Sequence, residues 1–164
     1  MIMSKVTLYM ANSADGFIAG TNDETPWSDE EWTAFQDFVK SCDVCLLGRR
    51  TYEIMKNGGE FVDGTKYIVV TSDQTADTGD YEKLAINSLS DLPQVDKIGI
   101  IGGGELNGSL AAMGVIDEVI LDIEPITLGQ GKQLFGSHNV RLKLELLATK
   151  QIGQSTIQNH YKVL

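Results

Sequence analysis

Apolar residues recur along the chain in short runs separated by polar or glycine-containing breaks. Residues 6–10 form the first run and predict a strand. Asp15-Gly16 then turns the chain into Phe17-Ile18-Ala19, and a polar loop covers residues 20–25. Between residues 28 and 41 the spacing changes: Trp32, Phe35, Phe38 and Val39 fall on one face of a 3.6-residue period, which predicts a helix. Ser28-Asp29-Glu30-Glu31 opens it as a capping box, with Ser28 as N-cap and Glu31 reaching back; Trp27 and Trp32 are placed as a hydrophobic staple. Further strands are predicted at residues 44–47, 66–70, 83–86, 98–101 and 119–123, with a short helix to about residue 56 and a helical piece at 90–92. Residues 129–131 read as loop. Two longer runs, 142–151 and 155–164, flank Ile152-Gly153-Gln154 and predict an antiparallel hairpin on a sheet edge.

Strands alternating with helices imply an α/β sheet, mostly parallel in its middle, and 164 residues suit one domain spanning 1–164. The stretch with most local character is Ile101-Gly102-Gly103-Gly104-Glu105-Leu106. There a strand ends in three glycines and a helix follows, with apolar Leu106, Leu110 and Met113, and Gly114 placed to close it. Such a turn aims backbone N–H groups at a phosphate, or is simply a tight corner. Two other predicted strand ends carry anion-compatible groups: Gly48-Arg49-Arg50-Thr51 and Thr71-Ser72. Ligands on parallel sheets sit beyond the strand C-termini, so three such ends together point to a nucleotide with several phosphates.

Charge sharpens this picture. Thirteen Lys and Arg oppose twenty-three Asp and Glu, a net charge of -10 that repels nucleic acid and anionic membranes. Arginine occurs only at 49, 50 and 141, so an adjacent pair at a strand end stands out, although a solvated surface pair is the simpler alternative. Cys42 and Cys45 form a lone C-x-x-C that leads into an apolar strand, and both histidines are distant. The pair is expected to be core packing, with no metal site and no disulfide. No signal-peptide pattern or membrane-length apolar run is present, and a cytoplasmic protein is expected.

The order of Ala11, Asp15-Gly16-Phe17-Ile18, Pro26-Trp27, Gly48-Arg49-Arg50-Thr51-Tyr52-Glu53, Thr71-Ser72 and Ile101-Gly102-Gly103-Gly104 resembles the dihydrofolate reductase fold. That fold is a three-layer α/β/α arrangement of a mostly parallel mixed sheet with a C-terminal antiparallel hairpin. Gly103-Gly104-Glu105-Leu106, residues 114–118, Pro125 and residues 128–135 resemble the reductase domain of the bifunctional riboflavin-biosynthesis deaminase-reductase, here as a stand-alone chain. The resemblance implies NADPH as cofactor. Arg49 would take the 2′-phosphate with Ser72 beside it, Thr71 preceding. Arg50 and Thr51 would face the pyrophosphate at a helix start after Gly48. Ala11 and Ile18 would flank the nicotinamide, or simply pack in the core. Ile101, Gly102, Gly103, Gly104, Glu105 and Leu106 would complete the cofactor wall, with a cis Gly102–Gly103 peptide.

By the same resemblance, the helix carboxylate that serves proton transfer falls on Glu31, in competition with its capping role. Asp122 is a second candidate, as it interrupts an apolar strand; it could equally be the outward residue of a half-buried strand. Thr65 stands where dihydrofolate reductases hold the folate tail with arginine, which argues against folate. The deaminase signature H-x-E with P-C-x-x-C is absent. The expected activity is NADPH-dependent reduction of a small pterin- or pyrimidine-like substrate. The alternatives are a riboflavin-pathway reductase acting on a ribosylaminopyrimidine phosphate, with Lys66 or Lys132 at the phosphate; a true dihydrofolate reductase; and a non-catalytic nucleotide- or pterin-binding protein. The resemblance also implies a homodimer.

Overall fold

The computed structural model describes residues 3–164. Its strands are β1 (Lys5–Ser13), β2 (Phe17–Ala19), β3 (Val44–Gly48), β4 (Tyr67–Val70), β5 (Glu82–Leu84), β6 (Lys97–Ile100), β7 (Glu118–Glu124), β8 (Lys132–Gln133), β9 (Leu144–Ile152) and β10 (Thr156–Val163). Three helices accompany them: α1 (Asp29–Lys40), α2 (Arg49–Gly58) and α3 (Gly104–Ala112), with a single 3-10 turn at Leu89–Asp91. Eight strands form one sheet in the order β5-β4-β3-β6-β1-β7-β10-β9, parallel from β5 through β7 and antiparallel across β10 and β9. This is the dihydrofolate reductase-like α/β fold, with the C-terminal hairpin on the edge.

Alternation of side chains along the central strands builds the three layers. Val6, Leu8, Val44, Leu46, Ile98 and Ile100 point to the side covered by α3, where Leu110 and Ala111 pack on them. The intervening Tyr9, Cys45, Leu47 and Val69 point to the opposite side, under Phe38 and Val39 of α1 and Tyr52 and Met55 of α2. Strands buried on both faces read as continuous apolar runs, which is why residues 44–47 carry no polar position. Cys45 belongs to this core and Cys42 packs against it; both are free thiols. Among the described residues, no helix is long and apolar enough to cross a membrane.

Several expectations change. The strand expected at residues 83–86 lies at Glu82–Leu84. After the loop at 129–131 the chain forms β8, which pairs antiparallel with β2. Two polar residues carry no periodicity, so nothing in the sequence marked them.

The capping box at α1 is only half made. Ser28 Oγ accepts from the Glu31 N–H at 3.2 Å, but the Ser28 N–H donates to Glu124 Oε2 at 2.7 Å rather than to Glu31. Glu124, buried at the end of β7, also accepts from Ser28 Oγ at 3.0 Å and from Thr156 Oγ1 at 2.6 Å. One carboxylate therefore ties the start of α1 to β7 and β10. A long-range partner displaced the local one.

Thr156→Val keeps the shape of the buried side chain while removing one donor to Glu124. We expect a loss of about 1–3 kcal/mol in urea unfolding, and near wild-type stability for Thr156→Ser.

Candidate active site

The C-terminal ends of β1, β3, β4 and β6 open into one cleft of about 1200 Å³. Ala11, Ile18, Gly48, Arg49, Arg50, Thr51, Thr71, Ser72 and residues 101–106 all line it, so the three strand ends singled out in the sequence come together. Glu31 lines it as well, together with Trp27, Trp32 and Phe35 around α1. Asp122 does not line it; it lies fully buried behind the cleft wall.

The helices bordering the cleft differ at their starts. Ser28 caps α1, whereas α2 and α3 begin on Gly48 and Gly103 with no side-chain cap. The first N–H groups of α2 and α3 are thus left for a ligand, at the positive ends of two helix dipoles. Glycine suits the place where the two turns meet. A Cβ on Gly103 would stand 3.2 Å from Thr51 Oγ1, and Gly102 has φ 105°, a region other residues rarely adopt. The Gly48 N–H donates to Gly102 O at 2.8 Å, which fixes one glycine turn against the other, and the Gly102–Gly103 peptide is cis. This cradle fits the phosphates of a dinucleotide.

The arginines are held loosely. Arg49 reaches Glu53 and Asp73 only at 3.4 Å, with half its side chain exposed. Such pairs contribute little and yield readily to a ligand phosphate. Arg50 is turned toward Asp23 of the loop after β2, its Nε donating at 2.8 Å. Glu105 lines the cleft at the start of α3, but its carboxylate is engaged by Ser137, from the backbone N–H at 2.7 Å and from Oγ at 2.9 Å. Lys132 lines the cleft, whereas Lys66 sits outside it beside Glu82 at 3.7 Å.

The polar centre of the cleft floor lies below α1. Register places Ala11 opposite Asp122 and Ser13 opposite Glu124, so Tyr9, Asp122 and Glu124 share the face that α1 covers. Glu31 comes down on this face and is 5% exposed. Burial, then the carboxylates of Asp122 and Glu124, push its pKa up to about 8, with the Tyr9 hydroxyl at 3.4 Å partly opposing the shift. Glu31 is therefore a neutral acid at pH 7 that borders the cleft. Of the expected capping roles only the backbone N–H of Glu31 is used; its side chain does not reach back to Ser28. Asp122 receives the Tyr9 hydroxyl in a close hydrogen bond and Gln158 Nε2 at 2.8 Å, and burial raises its pKa too. It is not the outward residue of a half-buried strand.

Sequence reading missed Tyr9 and Glu124. Tyr9 sat inside an apolar run, where a tyrosine looks like packing. The only signal was the recurrence of Asp122 and Glu124 two residues apart in a strand.

A dihydrofolate reductase-like domain whose nucleotide-sized cleft holds a buried neutral carboxyl is the class that fold and site define. Residues 61–158 match the RibD C-terminal domain, and the chain belongs to that family, one of NAD(P)H-dependent reductases. The chain is 32% identical to the uncharacterised protein YwjB of Bacillus subtilis, over 96% of this chain and 97% of that one. A putative riboflavin biosynthesis protein from Shewanella sp. PV-4 superposes with a TM-score of 0.80 at 20% identity, over 98% and 99% of the two chains. The dihydrofolate reductase of Enterococcus faecalis, solved in complex with NADP(H), gives 0.74 at 18% identity over 99% and 98%. At such identities these two likenesses show the fold.

Glu31 binds its proton more tightly folded than unfolded, so its contribution to stability is fully present below pH 4.5 and is lost as pH rises to about 8. Glu31→Gln removes this loss. The melting temperature of the variant, relative to wild type, is expected to rise by about 5 °C or more between pH 5 and pH 9, and a parallel pair of melting curves would contradict the assignment.

Proposed function

We propose that the chain is an NADPH-dependent reductase that delivers hydride to a small, unphosphorylated pterin- or pyrimidine-like heterocycle. The observation that carries this reading is a single cleft holding two uncapped helix N-termini beside Arg49, together with the neutral carboxyl of Glu31. Reduction of a C=N bond consumes a hydride and a proton. NADPH, when bound, supplies the hydride.

The N–H groups that follow Gly48 and Gly103 would hold the pyrophosphate, and Arg49 with Ser72 the 2′-phosphate, where a guanidinium can clamp two oxygens. Ala11 and Ile18 bring apolar surface to the reacting end of the cleft. Trp27, Trp32 and Phe35 offer flat faces for a heterocycle and exclude water around Glu31. Glu31 gives its proton to the substrate nitrogen, and a pKa near the working pH suits a general acid.

Family membership supports a second reading, reduction of a ribosylaminopyrimidine phosphate in riboflavin synthesis. That substrate calls for cations beside it. Around α1 the lining of the cleft includes Asp29 and no cation; Arg49 and Arg50 stand at the start of α2, and Lys132 is its one lysine. The want of a cation beside α1 favours the unphosphorylated substrate.

Fluorescence titration with NADPH tests the cofactor reading. Arg49→Ala is expected to weaken NADPH binding about tenfold or more, while NADH binds more weakly and is indifferent to the substitution. Failure of wild type to bind either nucleotide overturns it.

Proton donation is tested by NADPH oxidation against dihydropterins, dihydrofolate and aminopyrimidines, with and without a ribosyl phosphate. For Glu31→Gln we expect kcat to fall about 10²-fold, with NADPH affinity retained. The wild-type rate should decline above pH 8, where Glu31 loses its proton.

A further inference from the structure

Tyr9 borders two clefts. It lines the large cleft beside Glu31, and it also lines a second cleft of about 400 Å³ between α1 and the edge strands. Lys150, Ile152 and Gln158 line that rear cleft from β9 and β10, and Glu30 and Asp37 line it from α1.

An unbroken set of hydrogen-bonding groups joins the two. Glu31 Oε1 lies 3.4 Å from Tyr9 Oη; Tyr9 Oη meets Asp122 Oδ2; and Asp122 Oδ1 accepts from Gln158 Nε2 at 2.8 Å. Tyr9, Glu31 and Asp122 are 2%, 5% and 0% exposed, so the inner members touch almost no solvent. A tyrosine hydroxyl carries one proton and can serve one carboxylate at a time. With Glu31 neutral, its O–H donates to Tyr9 Oη, and Tyr9 donates to the Asp122 carboxylate.

Cofactor and substrate together would fill the large cleft and keep water from Glu31. Each turnover removes one proton from this carboxyl, so it needs a supply from elsewhere. We propose that Tyr9 and Asp122, with Gln158 as the outer wall, form a proton pathway that restores the Glu31 proton from the rear cleft.

The steps balance. Glu31 gives its proton to the substrate and becomes a carboxylate. Asp122 takes one proton from rear-cleft water when Gln158 swings away. Tyr9 then passes its hydroxyl proton to Glu31 as it receives the proton of Asp122, and ends as it began. The net change is one proton moved from solvent to substrate. Lys150 on β9, Lys97 on β6, Glu124 on β7, and Glu30 and Asp37 on α1 are the charged groups around this path, and Lys150 favours the anionic form of Asp122 between transfers.

The pathway rests on the reductase reading for what consumes the proton, and its existence can be tested separately. In NMR spectra of the full chain, a hydroxyl held between two carboxyl groups should give a resonance well downfield of the amides, assigned by its loss in Tyr9→Phe. Saturation transfer from water reads its exchange, in the free chain and with saturating NADP+ and pterin together. We expect exchange to continue with both bound. In that filled state Gln158→Leu should slow it severalfold by plugging the wall, and Gln158→Ala should quicken it in either state.

Exchange abolished in wild type when both are bound, or unaffected there by Gln158→Leu, overturns the pathway. So does a spectrum with no resonance that Tyr9→Phe removes. Should NADP+ fail to bind, the reductase reading falls; whenever the cleft cannot be filled, the free chain still decides the pathway, and exchange no faster in Gln158→Ala than in wild type overturns it.

Discussion

Glu31, Asp122 and Glu124 are buried together beneath α1, and the cost of crowding carboxylates away from water shapes what surrounds them. Glu124 gathers three donors from Ser28 and Thr156 and thereby holds the first turn of α1 on the sheet. Asp122 draws in Tyr9 and Gln158. Glu31, with only a long contact to Tyr9, keeps its proton instead. The same crowding thus seats the helix, orders the strand side chains and leaves one acid charged with a proton at the cleft floor.

The two ends of the cleft use opposite treatments of a helix N-terminus. At α1 a serine side chain takes up the N–H of Glu31, and the helix brings the side chains of Glu31, Trp32 and Phe35 to the cleft. At α2 and α3 glycine leaves the first N–H groups unclaimed, so the backbone itself presents donors to the cleft. In a chain with so few cations, such donors are the chemistry that suits an anion there.

What could be read from the sequence divides along the same physical lines. The central strands were legible because burial on both faces demands unbroken apolar runs, and the cleft wall because glycines and arginines at strand ends have few other uses. The strand β8 was not, since its order comes from pairing with β2 and not from its own two residues. Glu31 was ambiguous because its position suits a local cap as well as a place under the helix. Only the arrival of Glu124, ninety-six residues away at Ser28, shows that its side chain is not the cap. Tyr9 was invisible for a related reason: its hydroxyl acquires meaning only when β7 is laid beside β1.

The place of β1 in the sheet also dictates when the molecule can exist. Strand β1 is the earliest of the domain in chain order, yet it lies inside the sheet, with residue 6 beside residue 98 on one flank and residue 7 beside residue 118 on the other. A growing chain therefore leaves this strand without either neighbour until residue 98 has been made, and must close loops of about that length to pair it. The pair β3 and β4 can form earlier, but the centre of the sheet waits for β6 and β7. Through that wait both edges of β1 are open to other strands and to chaperones.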